Sequence, residues 1–480
     1  MNADTTSTTT PRERRSILAI LLVSAFVVIL NETTMNVALA TIMADFGVTE
    51  RSAQWLTTGF MLTMAVVIPV TGWLIDRLPT RRIFLIAMAL FSLGTFVCAI
   101  APTFALLLSG RVIQASGTAM MMPLLMTTVM QLVEPAHRGA IMGNISLVIS
   151  VAPAVGPTLS GLLLELGSWR LVFATVLPIA VVMLVLGLAR LQNTGISHRT
   201  PLDLTSVALT AVGFGPLVYG LSLLGDGGAP VWEAPLALTV GIVGVALFGW
   251  RQLVLQRTDT ALLDLRTFSY RGFRTGVLMM ALTTMALFGT IIMLPLVLQR
   301  SFGLEPIQVG LMLLPGGIAM GLLGPVVGRL YDRVGPRTLV SPAAVVVLGA
   351  FVFLGTLTEA TPWWLIVAGH MTMSVGFAFI FTPLFTVALG SLPRDLYSYG
   401  SATLGTVQQI GGATGTAVFV TIFSMMADSS LGAGASEGHA VLVGSHGAFL
   451  GAAAVWSAAV VASFFLRRPP QQAAPVAQHD

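Results

Sequence analysis

The chain of 480 residues has very little charge: only 9% of its residues are charged, against roughly 25% in soluble domains. It has no lysine, so all 24 basic residues are arginine. A phosphate-binding loop of the GxxxxGK[ST] type is therefore excluded, which argues against an ATP-driven pump in this chain. The one cysteine, Cys98, excludes disulfides and multi-cysteine metal sites within the chain. The net charge of +4 comes from arginines spread over many short loops, which does not indicate a nucleic-acid partner.

Apolar residues are abundant instead, at 55% of the chain with a mean hydropathy of +0.89. A run of roughly 20 apolar residues can cross a bilayer as a helix, which satisfies its own backbone groups in lipid. We expect about fourteen such spans, and they leave no room for a soluble domain. The expected spans are 16–39, 53–75, 83–101, 104–130, 139–163, 169–189, 204–225, 233–251, 275–298, 306–327, 338–357, 363–386, 400–426 and 443–466. The sequence therefore predicts an all-α polytopic membrane protein.

The arginines predict the orientation of these spans. An even number of spans places both termini on one side. If that side is cytoplasmic, 20 arginines fall inside and three fall outside. Short cytoplasmic loops carry an excess of Arg, so we expect a multi-pass protein of the cytoplasmic membrane with both termini cytoplasmic. The first apolar segment resembles a signal peptide, but its length and its Glu32 favour an uncleaved span.

Two loops share one pattern, G-x-L-x-D-R-x-x-x-R. It occurs in GWLIDRLPTRR at 72–82 and in GRLYDRVGPRT at 328–338. The repeat predicts two homologous halves, which in transporters enclose a site near the middle of the membrane. We expect the glycines to allow close helix approach and the aspartates to cap helices or pair with arginines across the cytoplasmic side. These latch loops comprise Gly72, Asp76, Arg77, Arg81, Gly328, Asp332, Arg333 and Arg337.

Three further motifs accompany the loops: RVIQASGTA at 111–119, APAVGPTLSG at 152–161 and VGLMLLPGGIAMGLLGPVVGRLYDRVGPR at 309–337, which includes the second loop. With them, nearly the whole chain resembles the major facilitator superfamily, and within it the fourteen-spanner drug:proton antiporters. The LNET stretch at 30–33 is similar to the subgroup associated with lincomycin-type resistance. The resemblance implies a six-helix bundle at 1–195, two linking helices at the bundle edge within 196–258, and a second six-helix bundle at 259–480.

Glu32 is the leading candidate for a functional residue, because it interrupts the apolar run VVILNETTMNVAL at 27–39. A charge at that depth costs about 3 kcal/mol or more, so it usually marks a functional position. Low dielectric favours the neutral carboxyl, so we expect Glu32 to bind and release a proton. A structural carboxylate, hydrogen-bonded to Asn31, Thr33 or Arg111, is the alternative. The related antiporters usually have Asp at the position of Asn31.

Arg111 is the one basic residue within an expected span. We expect it to couple to the proton site in a network with Gln114, or to join helices through backbone carbonyls. Further candidates for the wall of a substrate cavity are polar residues within spans: Asn31, Asn36, Gln114, His370, Gln408 and Gln409. His370 titrates in the physiological range, which also suits proton coupling, although a satisfied structural histidine is the alternative.

The fifth-helix motif of this family implies a kink formed by Gly156, Pro157 and Gly161 that shapes the gate between the halves. Proline removes a backbone donor and glycine allows close packing, so a plain packing bend is the alternative.

The resemblance implies proton-coupled efflux of small amphipathic drugs by alternating access. Such a protein would act as a monomer in the lipid bilayer, with the proton gradient as its energy source and no cofactor. A dedicated exporter of one native metabolite, such as a self-made antibiotic, a sugar or a lipid, is the alternative. A membrane enzyme is disfavoured because the six histidines form no HExxH or HxxxH pattern. A channel or receptor is disfavoured because the repeat suggests two rocking halves.

Overall fold

The computed structural model describes residues 10–193, 201–224 and 230–469. Within these ranges, 14 helices are long and apolar enough to cross a membrane, which confirms the predicted all-helical polytopic fold. In chain order the helices are α1 Pro11–Phe46, α2 Glu50–Arg77, α3 Thr80–Ile100, α4 Phe104–Leu132, α5 Arg138–Glu165, α6 Arg170–Arg190, α7 Leu204–Leu223, α8 Glu233–Leu255, α9 Arg271–Arg300, α10 Pro306–Val334, α11 Pro336–Leu354, α12 Trp363–Gly390, α13 Tyr397–Gly432 and α14 Glu437–Ser463. The expected domain boundary after residue 195 lies outside the described residues.

Several helices extend beyond the apolar windows because polar residues cap them. At the start of α1, the Thr10 hydroxyl accepts from the Glu13 amide at 3.3 Å, and the Glu13 carboxylate accepts from the Thr10 amide at 2.8 Å. This reciprocal pair is a capping box. The same helix stops at Gly47, whose φ of 62° is left-handed and favours glycine. The helix is therefore longer than its apolar window, 16–39, at both ends.

Successive spans cross in alternating directions, so the connections fall on two faces. We call the face with the α2–α3, α4–α5, α8–α9, α10–α11 and α12–α13 connections the Arg-rich face, and the other the Arg-poor face. The two latch loops therefore lie on the Arg-rich face, one in each half of the chain.

The internal repeat is visible in the packing between the halves. Gly72 of α2 lies against α13, where a Cβ would come within 3.4 Å of the Ser398 carbonyl oxygen. Gly328 of α10 lies against α5, where a Cβ would collide with the Gly139 carbonyl oxygen. Ser398 follows Gly139 by 259 residues, so the two contacts are equivalent. Each half thus inserts the same glycine-bearing helix against the other half.

The two linking helices pack on each other and against α2. Gly213 of α7 lies against Gly244 of α8, where no side chain would fit, and Tyr219 of α7 stacks on Trp55 of α2 with ring centroids 5.4 Å apart. The far side of α8 is apolar and exposed, as at Trp250. This side of α8 suits contact with lipid.

Candidate functional site

A cavity between the halves opens towards the Arg-poor face. Helices α4 and α12 lie at the junction, since α4 contacts α13 and α12 contacts α5. Nearly all their side chains are buried in the part closer to the Arg-rich face. Closer to the Arg-poor face, the exposed and half-buried residues of each helix include one stripe at helical spacing. The stripes are Ala105, Ser109, Val112 and Ser116 in α4 and Trp364, Ala368, Met371 and Val375 in α12.

The two stripes are equivalent positions of the repeat, because each α12 residue follows its α4 counterpart by 259 residues. Because the two halves are related by pseudo-symmetry, the equivalent faces of these helices border the same central space. The molecule is therefore closed between the halves at the Arg-rich face and open at the Arg-poor face.

Glu32 lies near the middle of α1 and is half-buried. Its neighbour Asn31 is only 1% exposed, and neither polar atom of the Asn31 amide has a hydrogen-bond partner among the described residues. Val37 and Ala40, further towards the Arg-poor face, are exposed. The side chain of Asn36 lies outside the described part of the structure. Of the adjacent pair, Glu32 is thus the partly accessible residue, and Asn31 is enclosed.

A purely structural Glu32 would be hydrogen-bonded to Asn31, Thr33 or Arg111. None of these hydrogen bonds is present among the side chains that the structure describes. The Thr33 hydroxyl donates to backbone carbonyls instead, at 3.0 Å to Leu30 and 3.5 Å to Ala152 of α5. Arg111 donates elsewhere, although its charge is close enough to act on the Glu32 carboxylate. The carboxylate therefore has a nearby countercharge but no fixed donor in the described structure, an arrangement that suits reversible protonation.

Arg111 is buried and joins three helices. Its Nη1 donates to Gln114 Oε1 at 2.6 Å, and Gln114 Nε2 donates to Thr95 Oγ1 of α3 at 2.7 Å. Its Nε donates to the Leu56 carbonyl of α2 at 3.3 Å, and the guanidinium lies 4.1 Å from the ring centroid of Phe60. The two interpretations of Arg111 thus coincide, because one network holds the helices and fixes a positive charge beside Glu32. Thr95 and Phe60 belong to this network and carry no motif that would have revealed them.

Gly156 brings α5 against α1 beside Glu32. A Cβ at Gly156 would collide with Thr33 Oγ1, whereas a Cβ at Gly161 would meet nothing within 4 Å. The helix continues through Pro153 and Pro157. The close approach therefore depends on Gly156.

His370 is the counterpart of Arg111 in the second half, because it follows Arg111 by 259 residues. Its half-buried ring lies in a notch at Gly316 of α10, where a Cβ would come 2.6 Å from Nδ1. Gly316 and Phe60 are equivalent positions, because each precedes the latch glycine of its half by 12 residues. The contact of His370 with Gly316 in the second half therefore corresponds to the contact of Arg111 with Phe60 in the first. The Nδ1 atom is buried without a hydrogen-bond partner among the described residues.

Gln408 and Gln409 are half-buried on α13. The Nε2 atom of Gln409 contacts the Met64 sulfur of α2 at 3.4 Å. Gly415, further along α13, packs against the Met285 backbone of α9. Gln409 therefore faces the first half of the protein, whereas Gly415 packs within the second half.

The latch aspartates bridge the halves at the Arg-rich face. The half-buried Asp332 carboxylate accepts from the Gly139 and Ala140 amides at 2.9 and 3.0 Å, so it caps the start of α5. Asp76 accepts from the Tyr399 hydroxyl of α13 at 3.3 Å. Both contacts cross from one half to the other.

The latch arginines contact their own halves. Arg81 donates to the Leu188 carbonyl of α6 at 2.6 Å, and Arg77 lies 5.2 Å from the Trp73 ring centroid. The Arg333 carbonyl accepts from Arg468, and Arg337 lies 5.7 Å from the Phe464 ring centroid. The hydrogen bonds described between the halves at the latches are thus made by aspartates, and the contacts described for these arginines lie within their own halves.

Two repeated helical halves that meet at a pseudo-symmetric junction are the architecture of a membrane transporter. The chain belongs to the Major Facilitator Superfamily, whose sequence model matches residues 21–416. The family expected from the motifs is therefore confirmed.

Named relatives support this assignment along most of the chain. The chain is 39% identical to the "Uncharacterized MFS-type transporter YcnB" of Bacillus subtilis, over 96% of this chain and 97% of that protein. It is 38% identical to the "Lincomycin resistance protein LmrB" of Listeria monocytogenes, over 85% of this chain and 86% of that protein. The fold is similar to that of the human organic anion transporter MFSD10, with a TM-score of 0.69 and 16% identity over 95% of this chain and 100% of that chain.

Proposed function

We propose that the protein exports small amphipathic antibiotics from the cell in exchange for protons, as a monomer in the cytoplasmic membrane. In this proposal the Arg-rich face and both termini are cytoplasmic, and the proton gradient is the only energy source. The observation that carries it is Glu32, a half-buried carboxyl group near the middle of a membrane-spanning helix with a buried arginine nearby. Similarity to a lincomycin resistance protein over 85% of the chain supports the substrate class.

Glu32 would couple proton entry to substrate export, because it holds either a proton or a substrate. With the cavity open to the outside, a proton neutralises Glu32. Because a neutral carboxyl is easier to enclose than a charged one, protonation favours the return of the site to the cytoplasmic side. There a substrate binds and the proton leaves. A cationic group on the substrate would suit the free carboxylate, and His370 and Gln409 are the cavity residues proposed to contact it from the second half.

Helix α5 is the physical link between Glu32 and the latch. It touches Thr33, next to Glu32, through Gly156, and its first amides are held by Asp332. A shift of α1 on substrate binding would therefore be transmitted to the contact that closes the Arg-rich face. The same helix would carry the displacement from the middle of the membrane to the latch.

The test uses everted membrane vesicles with an imposed pH gradient and a panel of lincosamides and lipophilic cations. Glu32→Gln should abolish gradient-driven uptake, whereas Glu134→Gln, an exposed carboxylate on the Arg-rich face, should transport like the wild type. Retained coupling in Glu32→Gln would remove Glu32 from the proposal. Transport of one compound class alone would favour the dedicated exporter.

A further inference from the structure

The connection between α8 and α9 buries apolar residues at the Arg-rich face, where a loop would be expected to meet water. Leu262 and Leu263 are 1% and 5% exposed. They belong to one buried cluster with Trp73 of α2, Phe248 of α8 and Ala402 of α13. Burial of this kind is unusual for a connecting segment and implies a packing role. The segment therefore covers the seam at which α2 of the first half meets α13 of the second.

A chain of polar contacts fixes this segment to α7 and α8. The Gln252 Oε1 atom accepts from the Leu262 and Leu263 amides at 2.8 and 3.1 Å, and Gln252 Nε2 donates to Ser206 Oγ at 2.8 Å. Gln252 and Ser206 are completely buried, so these bonds are protected from water. The segment is thus a shaped part of the fold with a fixed position over the seam.

The same segment borders a cavity of about 400 Å³ in which carboxylates from both halves meet. Asp76 comes from the first half, Asp395 from the second, and Asp259 and Asp264 from the connection. Arg266 is the one cation among the described residues that line the cavity.

Arg266 is held in place by the two aspartates of its own segment. Its Nε donates to Asp264 at 2.7 Å and its Nη2 to Asp259 at 2.6 Å. The hydrogen bonds to Asp264, and then to Asp259, keep the pKa of Arg266 above its usual range. When the Arg-rich face closes, Asp76 and Asp395 approach this group from opposite halves, and the guanidinium offsets the repulsion among the carboxylates.

We propose that the connection from Gln256 to Tyr270 is a clasp that holds the two halves together at the Arg-rich face. Leu262 and Leu263 cover the seam, and Arg266 reduces the repulsion among the carboxylates that closure brings together. The clasp joins the second linking helix, α8, to the first helix of the second bundle, α9, so it adds a control on the conformational equilibrium to the latch loops. It acts on opening and closing and is independent of what the protein transports.

The test measures how often the seam opens. A cysteine is placed at Ser398, which is 5% exposed and lies beside Gly72, in a Cys98→Ala background, and its reaction with a maleimide is timed in detergent. Arg266→Gln should raise the labelling rate about two- to fivefold, since surface ion pairs contribute up to about 1 kcal/mol. The matched control, Arg257→Gln, alters an exposed arginine of the same segment that does not line the cavity and should leave the rate unchanged.

Asp395→Asn gives an independent check with the opposite sign. It removes an exposed carboxylate without disturbing a buried contact, so it should lower the labelling rate. The clasp is refuted if Arg266→Gln labels at the rate of Arg257→Gln, or if Asp395→Asn speeds labelling. The assay needs neither a substrate nor a proton gradient, so its outcome is separate from that of the proposed efflux.

Discussion

Asp332 provides the most quantitative prediction, because its two bonds to α5 cross between the halves and must break when the Arg-rich face opens. Asp332→Asn keeps one acceptor oxygen, but it loses one amide bond and the negative charge at the start of a helix. A hydrogen bond to a charged group contributes about 1.5 to 3 kcal/mol, and a charge at a helix N-terminus about 0.3 to 1 kcal/mol. Since Asp332 is only half-buried, we expect a net loss of about 1 to 2 kcal/mol for the closed form.

A loss of that size raises the ratio of open to closed molecules about 5- to 30-fold. Spin labels at Glu134 and Arg394, exposed residues of opposite halves on the Arg-rich face, report the separation by pulsed electron resonance. The wild type should show mainly a short distance between the labels. Asp332→Asn should add a population with a longer distance, and this population should be larger in Asp332→Ala. Asp428→Asn, an exposed carboxylate towards the other end of α13, is the control. An unchanged distance distribution in Asp332→Ala would refute the latch.

Three other perturbations test separate parts of the structure. Gly156→Ala should force α5 away from α1 and lower the stability of the protein by about 1 to 3 kcal/mol. It should also reduce drug efflux at a normal expression level, whereas Gly161→Ala should have neither effect. Arg111→Lys keeps the charge but loses the forked bonds, so thermal stability in detergent should fall by about 1 to 3 kcal/mol. Hydrogen bonds from Arg251 hold the pKa of Asp203 below its usual 3.8. The stability gained from this pair is therefore present above about pH 4 and lost as the pH falls further, and melting curves of Asp203→Asn should lack this loss.

The sequence predicted the helices and the two halves because both leave local signals. Apolar runs of bilayer length define spans wherever charges are absent, and the loops at Gly72 and Gly328 repeat the same residues at the same spacing. The contacts between halves leave no such signal. Asp332 bonds to amides that lie 193 and 192 residues away in sequence, at a helix start that no motif marks as its partner.

The sequence also did not predict how α1 is rotated about its own axis. Asn31 and Glu32 are about 100° apart on α1, and only packing against α5 decides which of them reaches the cavity. The family pattern favoured the position of Asn31, yet Asn31 is buried and Glu32 is accessible. The clasp was missed for a related reason, because the apolar stretch ALLDL at 261–265 is too short to be read as an element. Its role depends on the seam that it covers.

In the proposed transport cycle, a proton and a substrate compete for Glu32. The most direct measurement adds a transported antibiotic, identified in the vesicle panel, to purified protein in weakly buffered detergent near neutral pH and records the protons released. The wild type should release protons in proportion to the substrate bound, and Glu32→Gln should bind without release. Equal proton release from Glu32→Gln and the wild type would contradict the claim.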